Sequence, residues 1–270
     1  MGVRRSWSGR HHRAGVPLRA ACPLGNGTEN RVAAPQTAPG QVGVTVSEYL
    51  SRTGVLRQTL EQLLSTHVRS FLKPRGFTKS GRTFRRARGP LYDLINFQGS
   101  KWNGVTPQHS FFVNVGVGST DMDAVYLEWP DSRKPPREYV LDRRWERLVP
   151  QLPSEVGFDE TTDLELFADL LIDGLARVLT CIDAIDTTRA LAQWAIDHNL
   201  LHHMEKTCSY LASTNDLESL ATYVTALRDR FSDDIRWQSF NRKLIEVAGP
   251  WASILIGRGL LDPDQISVRE

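Results

Sequence analysis

The sequence predicts an α+β fold, with a small antiparallel sheet packed by helices and an all-helical C-terminal region after it. Three observations carry this expectation. Phe111, Val113, Val115 and Val117 alternate over residues 109–118, as a half-buried strand demands. Leu91, Ile95 and Phe97 alternate over 91–98, with Asp93 as the exception. From Leu164 onward, apolar residues recur instead at three and four positions, the spacing of one helix face.

The elements follow in order. Residues 1–46 are rich in Arg, Gly, Pro, Ala and Ser and show no apolar period. Such a segment buries too little surface to offset its chain entropy, so a disordered basic leader is expected. Its start, MGVRRSWSGRHHR, has the charge of a secretory signal, but no apolar stretch follows. Residues 47–190 are expected to form the α+β domain. A helix from about Thr53 to Leu72 carries Leu56, Leu60, Leu63, Leu64, His67, Val68 and Phe71 on one stripe, and Pro74 and Gly76 end it. Strands are expected at 82–88, 91–98 and 109–118, the first two joined by Gly89-Pro90. Gly116 and Gly118 read as the end of the third strand. Residues 119–163 read as irregular, with a short helix near Trp145. Asp163 then caps a helix to about Cys181, and Thr187 opens the next. Residues 191–270 are expected to form a helical extension, with helices at 199–212, 216–230 and 233–248 and caps at Asn215 and Ser232.

Composition narrows the classes. Hydrophobic residues make up 40% of the 270 and charged residues 24%, which permits a sizeable core. No long apolar run occurs, so no membrane association is expected. Cys22, Cys181 and Cys208 are scattered and form no C-x-x-C pair, which fits a reducing cytoplasm and argues against a disulfide framework or zinc knuckle. Cys181 and Cys208 fall on apolar helix faces and read as buried small hydrophobes. His198 and His202 stand four apart on an expected helix, but no third ligand accompanies them. No metal and no cofactor is expected.

The net charge of +2 conceals an asymmetry. Residues 73–101 carry eight basic groups against one aspartate, while residues 102–270 carry 16 basic and 27 acidic groups. A basic block of that kind attracts an anionic partner.

The stretches GFTKSGRTFRR, INFQGSKWN and FFVNVGVGS contain Gly76, Phe77, Lys79, Phe84, Arg86, Phe97, Gln98, Phe111, Val113, Asn114 and Gly116. In that order they resemble the bacterial family called domain of unknown function 4304, over roughly residues 55–190. The resemblance implies a helix followed by paired strands. That family supplies no established activity and no catalytic residues to carry over.

The candidate working residues lie among the strands. Asn96, Gln98 and Asn114 share parity with Tyr92, Leu94 and Phe112, opposite to the Ile95 and Val113 face. Antiparallel pairing of their strands puts these amides on one sheet face. Arg86 and Arg88 are expected to extend the row, and Lys101 and Trp102 to sit at the hairpin loop. Amides offer donors and acceptors, Arg a planar fork for carboxylate or phosphate, and Trp a stacking surface. The expected function is a non-catalytic binding module for a protein or a small anionic ligand, with an immunity-like or antitoxin-like role as one concrete form. One alternative is nucleic-acid binding through Lys79, Arg82, Arg85, Arg86, Arg88 and Lys101, against which the acidic remainder argues. The other is a metal-dependent hydrolase using Asp93, Gln98 and Lys101, although Asp93 and Gln98 have opposite strand parity.

Overall fold

The computed structural model describes residues 46–126, 138–198, 201–233 and 235–263, with side chains from residue 52 onward. The expected leader, 1–46, lies outside these residues except for Val46.

Helix α1 (Val46–Leu63) runs through a π-helical turn (Leu64–Val68) into α2 (Arg69–Leu72) and a 3₁₀ turn (Lys73–Arg75). Gly76 ends it at φ +86°, a left-handed conformation that glycine adopts without a Cβ penalty. Its buried stripe is Leu56, Leu60, Leu63, Leu64, Val68 and Leu72. Phe71 stays at the margin, because the wider π turn rotates the last residues of the stripe.

Strands β1 (Thr78–Ser80), β2 (Thr83–Arg88), β3 (Leu91–Gly99), β4 (His109–Ser119), β5 (Leu141–Arg144) and β6 (Val156–Phe158) form one antiparallel sheet in the order β1-β2-β3-β4-β5. β6 pairs with β4 beyond β5. The stretch 119–163 therefore contributes two strands, and a helix α3 (Thr120–Val125) capped by Ser119. These strands are three and four residues long, too short to show a period.

Leu91, Ile95, Phe97, Phe111, Val113, Val115 and Val117 line one sheet face and are fully buried. Helix α4 (Leu164–Asp183), capped by Asp163, closes over that face. Its Phe167 ring meets those of Phe111 and Phe158. Gly116 and Gly118 lie in the last residues of β4, as expected, but they are there for a further reason. Residues 138–140 cross the other sheet face there. A Cβ at Gly116 would stand 2.7 Å from the Tyr139 ring, and one at Gly118 only 2.3 Å from the Tyr92 ring. Glycine is thus required by close approach.

The remaining helices are α5 (Thr188–Asp197), α6 (Met204–Ser213), α7 (Leu217–Phe231), α8 (Trp237–Ala248) and α9 (Ala252–Gly257). Thr187 caps α5 as expected. Asp216, not Asn215, caps α7, and Asn215 takes φ +57° in the turn before it. Ser232 ends α7 and opens nothing. The hydrophobic core continues across residue 190: Leu175 and Val178 of α4, Leu191 and Ala195 of α5, and Cys208, Leu211, Tyr223 and Leu244 beyond them belong to one buried cluster. Among the described residues, no helix is long and apolar enough to cross a membrane.

Candidate functional site

Strand register brings the three amides together. Asn96 stands opposite Asn114, Asn114 opposite Arg144, and Thr83 opposite Asn96, so four strands contribute to one row. Asn114 Nδ2 donates to Gln98 Oε1 at 3.0 Å and to Asn96 Oδ1 at 3.3 Å. Asn96 Nδ2 donates in turn to Thr83 Oγ1 at 2.8 Å. This ladder leaves Asn114 Oδ1, an acceptor, and the Gln98 amide nitrogen, a donor, outside it. Asn96 and Asn114 are half-buried and Gln98 is exposed. Next to Gln98, Phe112 carries the Arg144 guanidinium 3.8 Å from its ring centre, a cation held over an aromatic face. The row therefore offers a donor, an acceptor, an apolar face and a cation.

Lys101 and Trp102 occupy the β3–β4 loop. Trp102 is 56% exposed, with Lys101 Nζ 4.9 Å from its ring centre. Asn103, which sequence reasoning passed over, fixes this loop. Its Nδ2 donates to Ser110 O at 2.8 Å, and its Oδ1 accepts from Ser110 N at 2.7 Å, as a strand partner would.

Arg86 and Arg88 do not extend the amide row. The tight Gly89-Pro90 turn sets Arg88 opposite Leu91 and Arg86 opposite Asp93, which places both arginines on the core face. There they enclose Asp93, whose side chain is 0% exposed. Arg86 Nε lies 2.7 Å and Arg88 Nε 2.9 Å from Asp93 Oδ2. Arg86 also pairs with Asp183, and Arg88 donates to the carbonyls of Ile182 and Ile185 at the C-terminal end of α4. Burial lowers the Arg86 pKa, but hydrogen bonds and charges from Asp183 and Asp93 outweigh it and hold it above the ordinary value. Asp93 thus lies on the face opposite Gln98, between two guanidinium groups.

A second charge centre was not among the residues that the sequence singled out. Lys206 of α6 is 1% exposed and pairs with Asp123 of α3 at 2.6 Å and with Glu138. Tyr92 of β3 donates to Asp123 Oδ2 at 2.7 Å, and its hydroxyl meets Glu138 O at 2.8 Å. Burial, and next the Asp123 carboxylate, push the Tyr92 phenol far above its usual range. The nearby His203, at φ +54°, is held down to about 4 by burial, then by His202 and Lys206. The four residues of this centre span more than a hundred positions with no common period. Only the position of the lysine, among Met204, Cys208 and Leu211 of the buried face of α6, hinted at a buried partner.

Two smaller readings change. His198 ends α5, stacks on Trp194 and places Nδ1 2.8 Å from Trp194 O, while His202 stands in the turn before α6. They do not share one helix. Cys208 is buried, but Cys181 is exposed, because the core stripe of α4 runs through Val178, Leu179 and Ile182 instead.

Residues 68–179 match the family model for Domain of unknown function (DUF4304), the family that the strand motifs resembled. The match covers α4 almost to its end and every strand of the sheet. No curated protein and no solved structure matches the chain.

Proposed function

We propose that this protein is a non-catalytic binding module whose working surface is the amide face of the sheet. One observation supports this above others: the Asn96–Asn114–Gln98 ladder holds its own amides in place and still presents one acceptor and one donor beside a guanidinium over an aromatic ring. Pre-ordered polar groups of this kind bind without the entropy cost of fixing them. Arg144 and the exposed Arg85 give the face a positive bias, which suits a carboxylate-bearing protein segment or a small anion. Trp102 extends the surface with an exposed ring. The free thiols Cys181 and Cys208 accord with a cytoplasmic setting.

Nucleic-acid binding has weaker support. Of its six basic residues, Arg82 is engaged by Glu61, and Arg86 and Arg88 by Asp93, which leaves Lys79, Arg85 and Lys101. A hydrolase centred on Asp93 would need a carboxylate that reaches substrate, and this one is enclosed.

The test is quantitative affinity capture from the native cell with the full chain, beside a Gln98→Ala/Asn114→Ala/Arg144→Ala variant that keeps its melting temperature. The expected result is a partner, confirmed with purified components, whose affinity drops at least about tenfold in the variant. Equal capture by both proteins would sink the reading.

A further inference from the structure

Helix α4 leaves a row of leucines unused by the core. Leu166 is 58% and Leu170 65% exposed, four positions apart on one side of the helix. Beside them opens a cavity of about 450 Å³, floored by Trp145, Leu152, Val156, Phe167 and Leu171. Its depth depends on Gly174. A Cβ there would stand 2.8 Å from the Trp145 ring and 3.3 Å from Leu152, so glycine lets the tryptophan wall lie against the helix. Glycine inside a helix costs stability relative to alanine, which makes this close approach its physical reason. Val156 and Gly157 on the far wall belong to β6, which has β4 on one side and, among the described residues, no strand on the other.

Carboxylates outnumber cations at the rim, where Glu155 and Asp173 line the cavity beside Arg177. From residue 155 to residue 173 the chain carries Glu155, Asp159, Glu160, Asp163, Glu165, Asp169 and Asp173, with no lysine or arginine. Arg177 is the one cation lining the cavity, and its guanidinium donates to Gln151 at 2.9 Å. An apolar trough inside a field of carboxylates selects apolar side chains carried on a cationic chain.

We propose that this groove, on a different surface from the amide face, docks an extended segment of a partner protein in which apolar residues are spaced by Lys or Arg. The apolar side chains enter beside Leu170 and Phe167, the cations meet Asp169 and Asp173, and the main chain runs along β6. The surface repels anionic lipid and nucleic acid by the same charges that attract this segment.

The test selects a random peptide display library on the full chain, then measures the enriched peptides by fluorescence anisotropy against wild type, Leu170→Glu and Asp169→Asn/Asp173→Asn. Leu170 is mostly solvated, so the first variant folds, and an unchanged melting temperature verifies that. The expected peptides are net cationic with interspersed apolar residues. Leu170→Glu weakens them at least about tenfold, and the double variant weakens them less. Raising salt from about 50 mM to about 300 mM weakens wild-type binding towards that of the double variant. No enrichment, enriched peptides without cations, or equal binding to Leu170→Glu overturns the proposal. So does a wild-type dimer that Leu170→Glu converts to monomer in sedimentation, since the groove's occupant is then a second copy of the chain.

Discussion

The two buried charge centres are inversions of each other. At one, two arginines enclose a single carboxylate, Asp93. At the other, two carboxylates enclose a single ammonium, Lys206. Each fastens the sheet to a different set of helices. The Asp93 centre ties β2 and β3 to the C-terminal end of α4, where Arg86 and Arg88 also satisfy carbonyls and a carboxylate at the negative end of the helix dipole. The Lys206 centre ties β3, α3 and the segment before β5 to α6. The difference lies in what remains when the central group is removed. A guanidinium stripped of its carboxylate cannot lose its charge, whereas a carboxylate stripped of its ammonium can bind a proton.

That difference orders the expected effects. Asp93→Ala leaves Arg88 with no carboxylate beside Arg86, which keeps only Asp183. It should cost about 3–5 kcal/mol of unfolding free energy, with little relief on acidification, as read by urea denaturation at several pH values. Lys206→Met leaves Glu138 8% exposed, but leaves Asp123 a quarter exposed and still bonded to Tyr92, so its cost should fall at the lower end, about 3 kcal/mol near neutral pH. Measured against wild type at each pH, that cost should shrink in acid. A Lys206→Met/Glu138→Gln double variant should be more stable than the single one, with a coupling of at least about 0.5 kcal/mol. Equal responses of both centres to acid would break the inversion.

The wild-type protein has its own acid limb. The folded His203 has its pKa near 4, below the ordinary value of 6.5, because burial disfavours the imidazolium. The buried His109 is shifted the same way, by burial and then by Arg82 and Arg57. In both cases the unfolded chain binds the proton first. Stability present above about pH 6.5 is therefore lost as the pH falls towards 4. A His203→Gln variant should flatten that limb in thermal denaturation. The smallest stability effect is expected on the amide face. Gln98→Ala/Asn114→Ala removes two half-solvated hydrogen bonds and should cost no more than about 1–2 kcal/mol while weakening the partner.

The same contrast explains what reading the chain could reach. Alternation in β3 and β4 is a two-residue period, so the parity of Asn96, Gln98 and Asn114 was visible before any register was known. The structure places all three where parity put them. Arg86 and Arg88 have a parity too, but it relates to β3 only through the length of the Gly89-Pro90 turn. A two-residue connection aligns even positions of β2 with odd positions of β3 and so turns both arginines towards Asp93.

By itself the sequence determined the periods: the apolar stripes of α1 and α4, the alternation in β3 and β4, and the caps Asp163 and Thr187. Periodicity and capping are local, and their cause lies within a few residues of their effect. The tertiary structure decided which charges are buried, because Arg86 at the Asp93 centre pairs with Asp183, 97 residues on, and Lys206 pairs with Asp123, 83 residues back. It also decided why Gly116 and Gly174 are glycines, since Tyr139 and Trp145 reach them from elsewhere in the chain. A buried ion costs solvation and is tolerated only where its counter-ions converge. That convergence is a property of the fold and of no single segment.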